Sequence, residues 1–128
     1  MENVWDAFVS GKMQTADTEI QFDEIGWTKH PVCEGVELKH ILTAKDTSGR
    51  FSFHLVRIAP GKCIKTHVHE KQTETHEIMC GSGMCTNDGT KIRYTPGAIS
   101  VFAAGIPHEV TAGDDGLCLF AKFFPALC

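Results

Sequence analysis

No apolar run in this chain is long enough to cross a bilayer, which excludes a membrane-spanning helix. The first residues, MENVWDAFVSGKMQ, lack the charged start and unbroken apolar stretch of a secretory signal, so the expected compartment is the cytoplasm. A basic excess is also missing. Lys and Arg number 12 against 16 Asp and Glu, a net charge of -4, with the two signs mixed along the chain. That balance argues against a nucleic-acid partner and is what solubility alone requires. No C-x-x-C pair occurs among the six cysteines, and in a reducing compartment they read as free thiols, most of them small core residues. Tyrosine occurs once, as Tyr94.

What is present is a globular composition, 42% hydrophobic and 22% charged over 128 residues, enough for one domain with its own core. Residues 1–14 are expected to form a short amphipathic helix with Val4, Trp5, Phe8 and Val9 on one side. Beyond Thr15 the chain reads as strands separated by turns about every ten residues. EIQFDEI turns Ile20, Phe22 and Ile25 inward, VELKHILTA is a strand, and DTSG (46–49) is a turn. RFSFHLVRIA (50–59) is a strand ended by Pro60-Gly61, and Asn87-Asp88-Gly89 carries a hairpin signature. KIRYT, AISVFAA, a strand entered through GIPHEVTA, and GLCLFAKFF complete the series. No helix is expected after the first, and the pattern predicts an all-β sandwich or barrel.

The stretch KTHVHEKQTETHEIMCGSG (65–83) holds three of the seven histidines and three glutamates. Strand residues two apart share a face, so His67 and His69 project together, as do Glu74 and His76 on a following strand. A hairpin joining the two strands would aim His67, His69 and Glu74 at one point. Two imidazoles and a carboxylate there form a divalent-metal site with open positions, and a third imidazole would complete a four-ligand set. Taken alone, H-x-H is a weak signal, and Glu70, Glu74 and Glu77 could be one solvated charged face.

The wider spacing is more specific. Gly61, five residues, His67-x-His69, four residues, Glu74, six residues, Gly81 resembles the first signature of the cupin family. By composition, those positions would coincide on the order of once in several thousand chains. The second cupin motif is matched by Gly97, AISVF, Ala103-Ala104-Gly105, Ile106-Pro107 and His108, with Ala103 where the family has proline. The family's later Asn is missing, since Ala112 stands four residues after His108. The resemblance covers about Phe51 to Pro125. It implies a double-stranded β-helix, a small antiparallel jelly-roll barrel, within a single domain spanning 1–128. Residues 1–45 would be an N-terminal extension, a short helix or outer strands of the kind that often cross to a dimer partner. By the same resemblance His67, His69, Glu74 and His108 are the metal ligands in the barrel mouth. One divalent ion per chain is expected, Fe, Mn, Ni or Zn. Three neutral imidazoles and a carboxylate leave it one net positive charge, and an octahedral ion would keep two positions for substrate, water or dioxygen. Affinity alone favours copper or nickel, so supply decides the metal.

His76 shares Glu74's face, where cupins usually carry an apolar or aromatic residue, and is the candidate catalytic residue, a general base or substrate hydrogen bonder. Its bland alternative is a core or ligand-supporting histidine with a satisfied ring. His54 and Ser52 oppose Phe51, Phe53 and Leu55 and could line the cavity. Glu77 competes with Glu74 as the carboxylate ligand, but the six-residue gap to Gly81 favours Glu74. Tyr94 is expected to be structural, and Phe120, Phe123 and Phe124 to be core or dimer contacts. Cys80 and Cys85 should flank a Gly-rich turn that ends the hairpin at Gly81, Cys128 should be exposed, and His30 and His40 should lie on the surface.

The expected function is a metal-dependent enzyme acting on a small polar metabolite by dioxygenase, decarboxylase, isomerase or lyase chemistry, in a homodimer. The alternative is a non-catalytic cupin that binds a metal or metabolite. SFHLVRI followed by THVH also resembles ectoine synthase, a ring-closing hydro-lyase, although GIPHEV fits general cupins better. A metal-free sugar epimerase of the same fold ranks last, because its sites use a His–Asp pair.

Overall fold

Buried side chains alternate with more exposed ones along parts of the strands of a computed structural model that describes residues 3–128. Helix α1 spans Val4–Val9, with the Asn3 side chain accepting from the Trp5 amide at 2.8 Å as its cap. It is shorter than the sequence predicts. Gly11 follows, and strand β1 (Lys12–Gln14) pairs antiparallel with β2 (Glu19–Gln21). Trp5 is buried and Val9 packs on its cluster, whereas Val4 and Phe8 are exposed. Met1 and Glu2, part of the expected helix, lie outside the described residues. A 3₁₀ turn at Phe22–Glu24 replaces the strand expected through Phe22, and still buries Phe22.

Strands β3 (Thr28–Lys29), β4 (Val36–Leu42) and β5 (Ser52–Ile58) follow, with helix α2 (Ala44–Thr47) between the last two. Helix α2 occupies the first half of the predicted 46–49 turn, where no helix is expected. The Thr43–Asp46 capping box nucleates it, and Ser48 in the left-handed conformation ends it. Next come β6 (Cys63–His67), β7 (Thr73–Asn87), β8 (Thr90–Tyr94), β9 (Ile99–Phe102) and β10 (His108–Phe124). Asp88 and Gly89, at φ 49° and 84°, make the tight turn that the Asn-Asp-Gly signature predicts between β7 and β8.

The main sheet runs β3-β4-β5-β10-β7-β8, with β6 added to β10 and β9 to β7, all pairs antiparallel. Two expectations change here. The Gly81–Gly83 segment is no turn, because β7 continues through it. The pair GIPHEVTA and GLCLFAKFF likewise forms one strand, β10, whose register shifts between Ala112 and Leu117. Gly81 and Gly116, at φ 79° and 76°, lie face to face where the two long strands bend. Each strand thereby serves both walls of a jelly-roll barrel.

Parity divides the apolar residues into two clusters. Val56, Ile58, Ile78, Leu117, Leu119, Tyr94, Phe102 and Val110 fill the barrel interior. Leu55, Ile41 and Phe120 point to the outer face of the same sheet, where Trp5, Met13 and Phe22 cover them. The N-terminal extension therefore seals the sheet of its own chain. It also buries Lys39, whose ammonium donates to the carbonyls of Phe22 and Ile25 at 2.7 and 2.9 Å. No described helix is long and apolar enough to cross a membrane.

Candidate metal centre

Three strands deliver the predicted ligands to the barrel mouth. His67 closes β6, and His108 opens β10 directly opposite it. Glu74 lies at the start of β7, and His69 just past the end of β6. The sequence predicts a hairpin joining the His67 and Glu74 strands. Instead β6 pairs with β10, and β7 meets them through β10. The four side chains still converge, with one ligand atom from each within 4.8 Å of all the others.

Their tautomers are fixed by what surrounds them. His67 Nδ1 lies 2.8 Å from the Lys65 carbonyl and His108 Nδ1 3.0 Å from the Ile106 carbonyl. A carbonyl only accepts, so each Nδ1 carries the proton, and in a neutral ring Nε2 carries a lone pair. His108 Nε2 lies 2.9 Å from Glu74 Oε1, and His69 Nε2 lies 3.6 Å from the same oxygen. Two lone pairs repel at such a distance, so a positive centre, a proton or a cation, must stand with them. Ligands about 2.1 Å from one ion and at right angles or tetrahedral angles would be roughly 3.0–3.4 Å apart. The observed 2.9 and 3.6 Å lie on either side of that range, and the carbonyl-bound Nδ1 atoms are the outer contacts that orient metal-binding histidines.

Electrostatics keep the carboxyl ionised. Burial pushes the Glu74 carboxyl up, but His76 and His108 outweigh it and hold the acid well below the usual carboxylate range. Burial lowers the His67 and His69 imidazoles, which keeps their lone pairs available near neutral pH. His108 is further held by stacking on Phe102, centroids 4.0 Å apart, and His69 meets the edge of Phe123 at 5.0 Å.

His76 sits behind Glu74. Its Nε2 is 2.8 Å from Glu74 Oε2 and its Nδ1 3.0 Å from the Tyr94 hydroxyl. The carboxylate can only accept, so Nε2 donates and the Tyr94 O–H donates to Nδ1. Both ring nitrogens are thus engaged, and only 2% of the residue is exposed. Glu77, by contrast, faces outward and pairs with Lys122 at 2.7 Å, away from the cluster.

The site opens into a cavity of about 330 Å³, within the size range of small-molecule pockets. Val56, Leu119 and Phe123 give it an apolar wall, and Lys29, His30 and His40 reach it from the N-terminal part of the chain. His30 and His40, expected at the surface, are half-buried cavity residues because β3 and β4 extend the barrel sheet across its mouth. Phe123 lines the cavity as well as packing in the core. The β4–β5 register places His40 opposite His54, which is fully buried and bonded to Ser52. Only Cys33 and Cys85 among the cysteines are buried, three more are half-buried, and Cys128 is exposed.

An antiparallel jelly-roll barrel with a three-histidine, one-carboxylate cluster in its mouth defines a cupin architecture with a candidate metal site. The chain belongs to the cupin family: the Cupin_2 cupin-domain model matches residues 54–121. No curated protein matches the chain significantly. Among solved structures, a predicted oxalate decarboxylase from Thermotoga maritima is 22% identical, with 80% of this chain and 95% of that one covered at a TM-score of 0.74. KdgF from Halomonas sp. is 21% identical over 80% of this chain and 90% of that one, TM-score 0.71. Ectoine synthase from P. lautus is 21% identical over 73% of this chain and 66% of that one, TM-score 0.65. At these identities the likeness is one of fold.

Proposed function

We propose that this cupin is a metal-dependent enzyme that holds one divalent ion on His67, His69, Glu74 and His108 and acts on a small polar metabolite. The observation that carries the reading is the buried Glu74 oxygen 2.9 Å from His108 Nε2, whose Nδ1 proton is committed to a carbonyl. When bound, a divalent ion supplies Lewis acidity to a carbonyl or carboxylate and a coordination position for a co-reactant. The chain's own residues do the rest. Tyr94 fixes the His76 tautomer, and His76 donates to Glu74 and sets the direction of its remaining lone pairs. We assign His76 this positioning role, since neither ring nitrogen is free for a substrate. Leu119 and Phe123 keep water away from one side, and Lys29 at the rim suits an anionic metabolite. A predicted oxalate decarboxylase and an ectoine synthase are among the proteins that share this fold, and a polarising centre of this kind suits decarboxylation.

The test is elemental analysis of untagged protein after reconstitution with iron or manganese, which suit the three-histidine, one-carboxylate set. About one ion per chain is expected, and a small fraction of that would sink the metal reading. His108→Ala should lose the ion. Oxygen uptake with candidate metabolites then separates dioxygenation from the redox-neutral reactions. An ion that binds with no turnover of any candidate would favour the binding-protein alternative. A homodimer is also proposed, supported by Ile99 and Val101, 68% and 59% exposed on the outer side of β9. Sedimentation equilibrium reads it directly.

A further inference from the structure

Across the cavity from Glu74 lies a second group of metal-liking side chains that the first site does not use. His40 and His54 are directly opposed on β4 and β5, and their Nδ1 atoms are 2.7 Å apart. Cys128 brings its Sγ to 3.9 Å from His40 Nδ1, and the three ligand atoms all lie within 4.8 Å of one another. We infer that His40, His54 and Cys128 form a second metal site, selective for a soft or borderline ion such as zinc or cobalt.

Ser52 organises the group. Its hydroxyl oxygen accepts from the Leu127 amide at 2.8 Å and lies 2.7 Å from His54 Nε2. A proton on Nε2 donated to that oxygen leaves the His54 Nδ1 lone pair facing His40 and Cys128. One serine therefore contacts one ligand in a way compatible with that tautomer and anchors the segment that carries another, the outer-contact arrangement of metal sites. His54 is fully buried with no carboxylate against either nitrogen, so its environment favours a neutral donor. Burial lowers both imidazoles and raises the Cys128 thiol, so loading must displace the thiol proton.

Two imidazole nitrogens and a thiolate are a borderline-to-soft donor set, unlike the harder three-histidine, one-carboxylate cluster. Tetrahedral coordination requires the two Nδ1 atoms to separate to roughly 3.3 Å. The half-buried His40 ring can supply that movement, and the exposed Cys128 can close the third side. A fourth position faces the cavity. The Phe123 ring makes an edge contact with one histidine of each cluster, its centroid 5.5 Å from that of His54 and 5.0 Å from that of His69.

Cobalt titration of the full chain tests the inference, because only the second site contains sulfur. A sulfur-to-cobalt charge-transfer band in the near ultraviolet should grow with an equivalent of cobalt beyond that held by the first cluster, and zinc should abolish it. Cys128→Ser, at an exposed position, should remove the band and that equivalent. His40→Gln should weaken uptake at the second site by at least about tenfold. His108→Ala should empty the first site and keep the band, so failure of one site is distinguishable from failure of the other. Saturation of the unaltered protein without a sulfur band would overturn the proposal, as would a band of full intensity in Cys128→Ser.

Discussion

Glu74 is the residue on which the cavity converges. His108 Nε2 and His76 Nε2 stand 2.9 and 2.8 Å from its two oxygens, and His69 stands 3.6 Å from the first. The His76 donor fixes one oxygen and leaves the other for the proposed ion, so His76 orients the carboxylate without touching that ion. His76→Gln should therefore weaken metal binding by roughly 10- to 100-fold while the fold is retained. Competition with a chromophoric chelator measures the first, and far-ultraviolet circular dichroism checks the second. Tyr94→Phe should act in the same direction and less strongly, since it frees the His76 tautomer without removing the donor to Glu74. An unchanged affinity in both variants would remove the positioning role. The sequence placed His76 on the face of Glu74, because strand parity is a local rule. It could not place Tyr94 behind it, since that contact depends on which strands β7 meets.

Among the elements, β7 and β10 carry the architecture because each is bent once and serves two walls. The bend rests on glycine. Gly81 has φ 79°, and a Cβ there would run into the Gly116 carbonyl. Gly89 has φ 84°, but a Cβ at that position meets nothing within 4 Å. Gly89→Ala should thus cost only the left-handed backbone penalty, about 1–2 kcal/mol. Gly81→Ala adds a backbone collision and should cost several kcal/mol, about 3 or more. Urea denaturation of the two variants compares them, and equal losses would refute a close-packed bend. The Asn87-Asp88-Gly89 turn was legible because its chemistry belongs to one turn type. Gly81 is legible as a motif position, but the sequence alone reads it as the end of a hairpin. Glycine at positive φ serves turns and strand bends alike, and only the partner strand tells them apart.

For the whole molecule, the most consequential buried group is His54. Burial and the neighbouring His40 lower its pKa to about 4, against about 6.5 in an unfolded chain. The folded value is the lower one, so the contribution to stability is complete above about pH 6.5 and is lost as pH falls toward 4. The shift corresponds to about 3 kcal/mol at most. Chelator-treated protein should accordingly lose stability between those pH values, and His54→Gln, which cannot titrate there, should flatten the profile. Denaturation midpoints at a series of pH values give the comparison, and an identical slope in both proteins would assign the loss to other groups.

The sequence by itself determined what local rules govern. Period-two alternation marked the strands, turn residues marked several of their ends, and the histidine and glutamate spacing singled out four side chains that the fold does bring together. Those features need only neighbours in the chain. Tertiary structure decided which strands meet. It paired β6 with β10 rather than β7, so that His67 faces His108 across a ladder. It also folded β3 and β4 onto the barrel, which carried His30 and His40 from an expected surface into the cavity and set His40 against His54. Register between strands distant in sequence is chosen by the burial of both faces of a sheet at once. No window along the chain contains that information, because the N-terminal segment that covers the outer face and the strands that fill the inner one are far apart in the sequence.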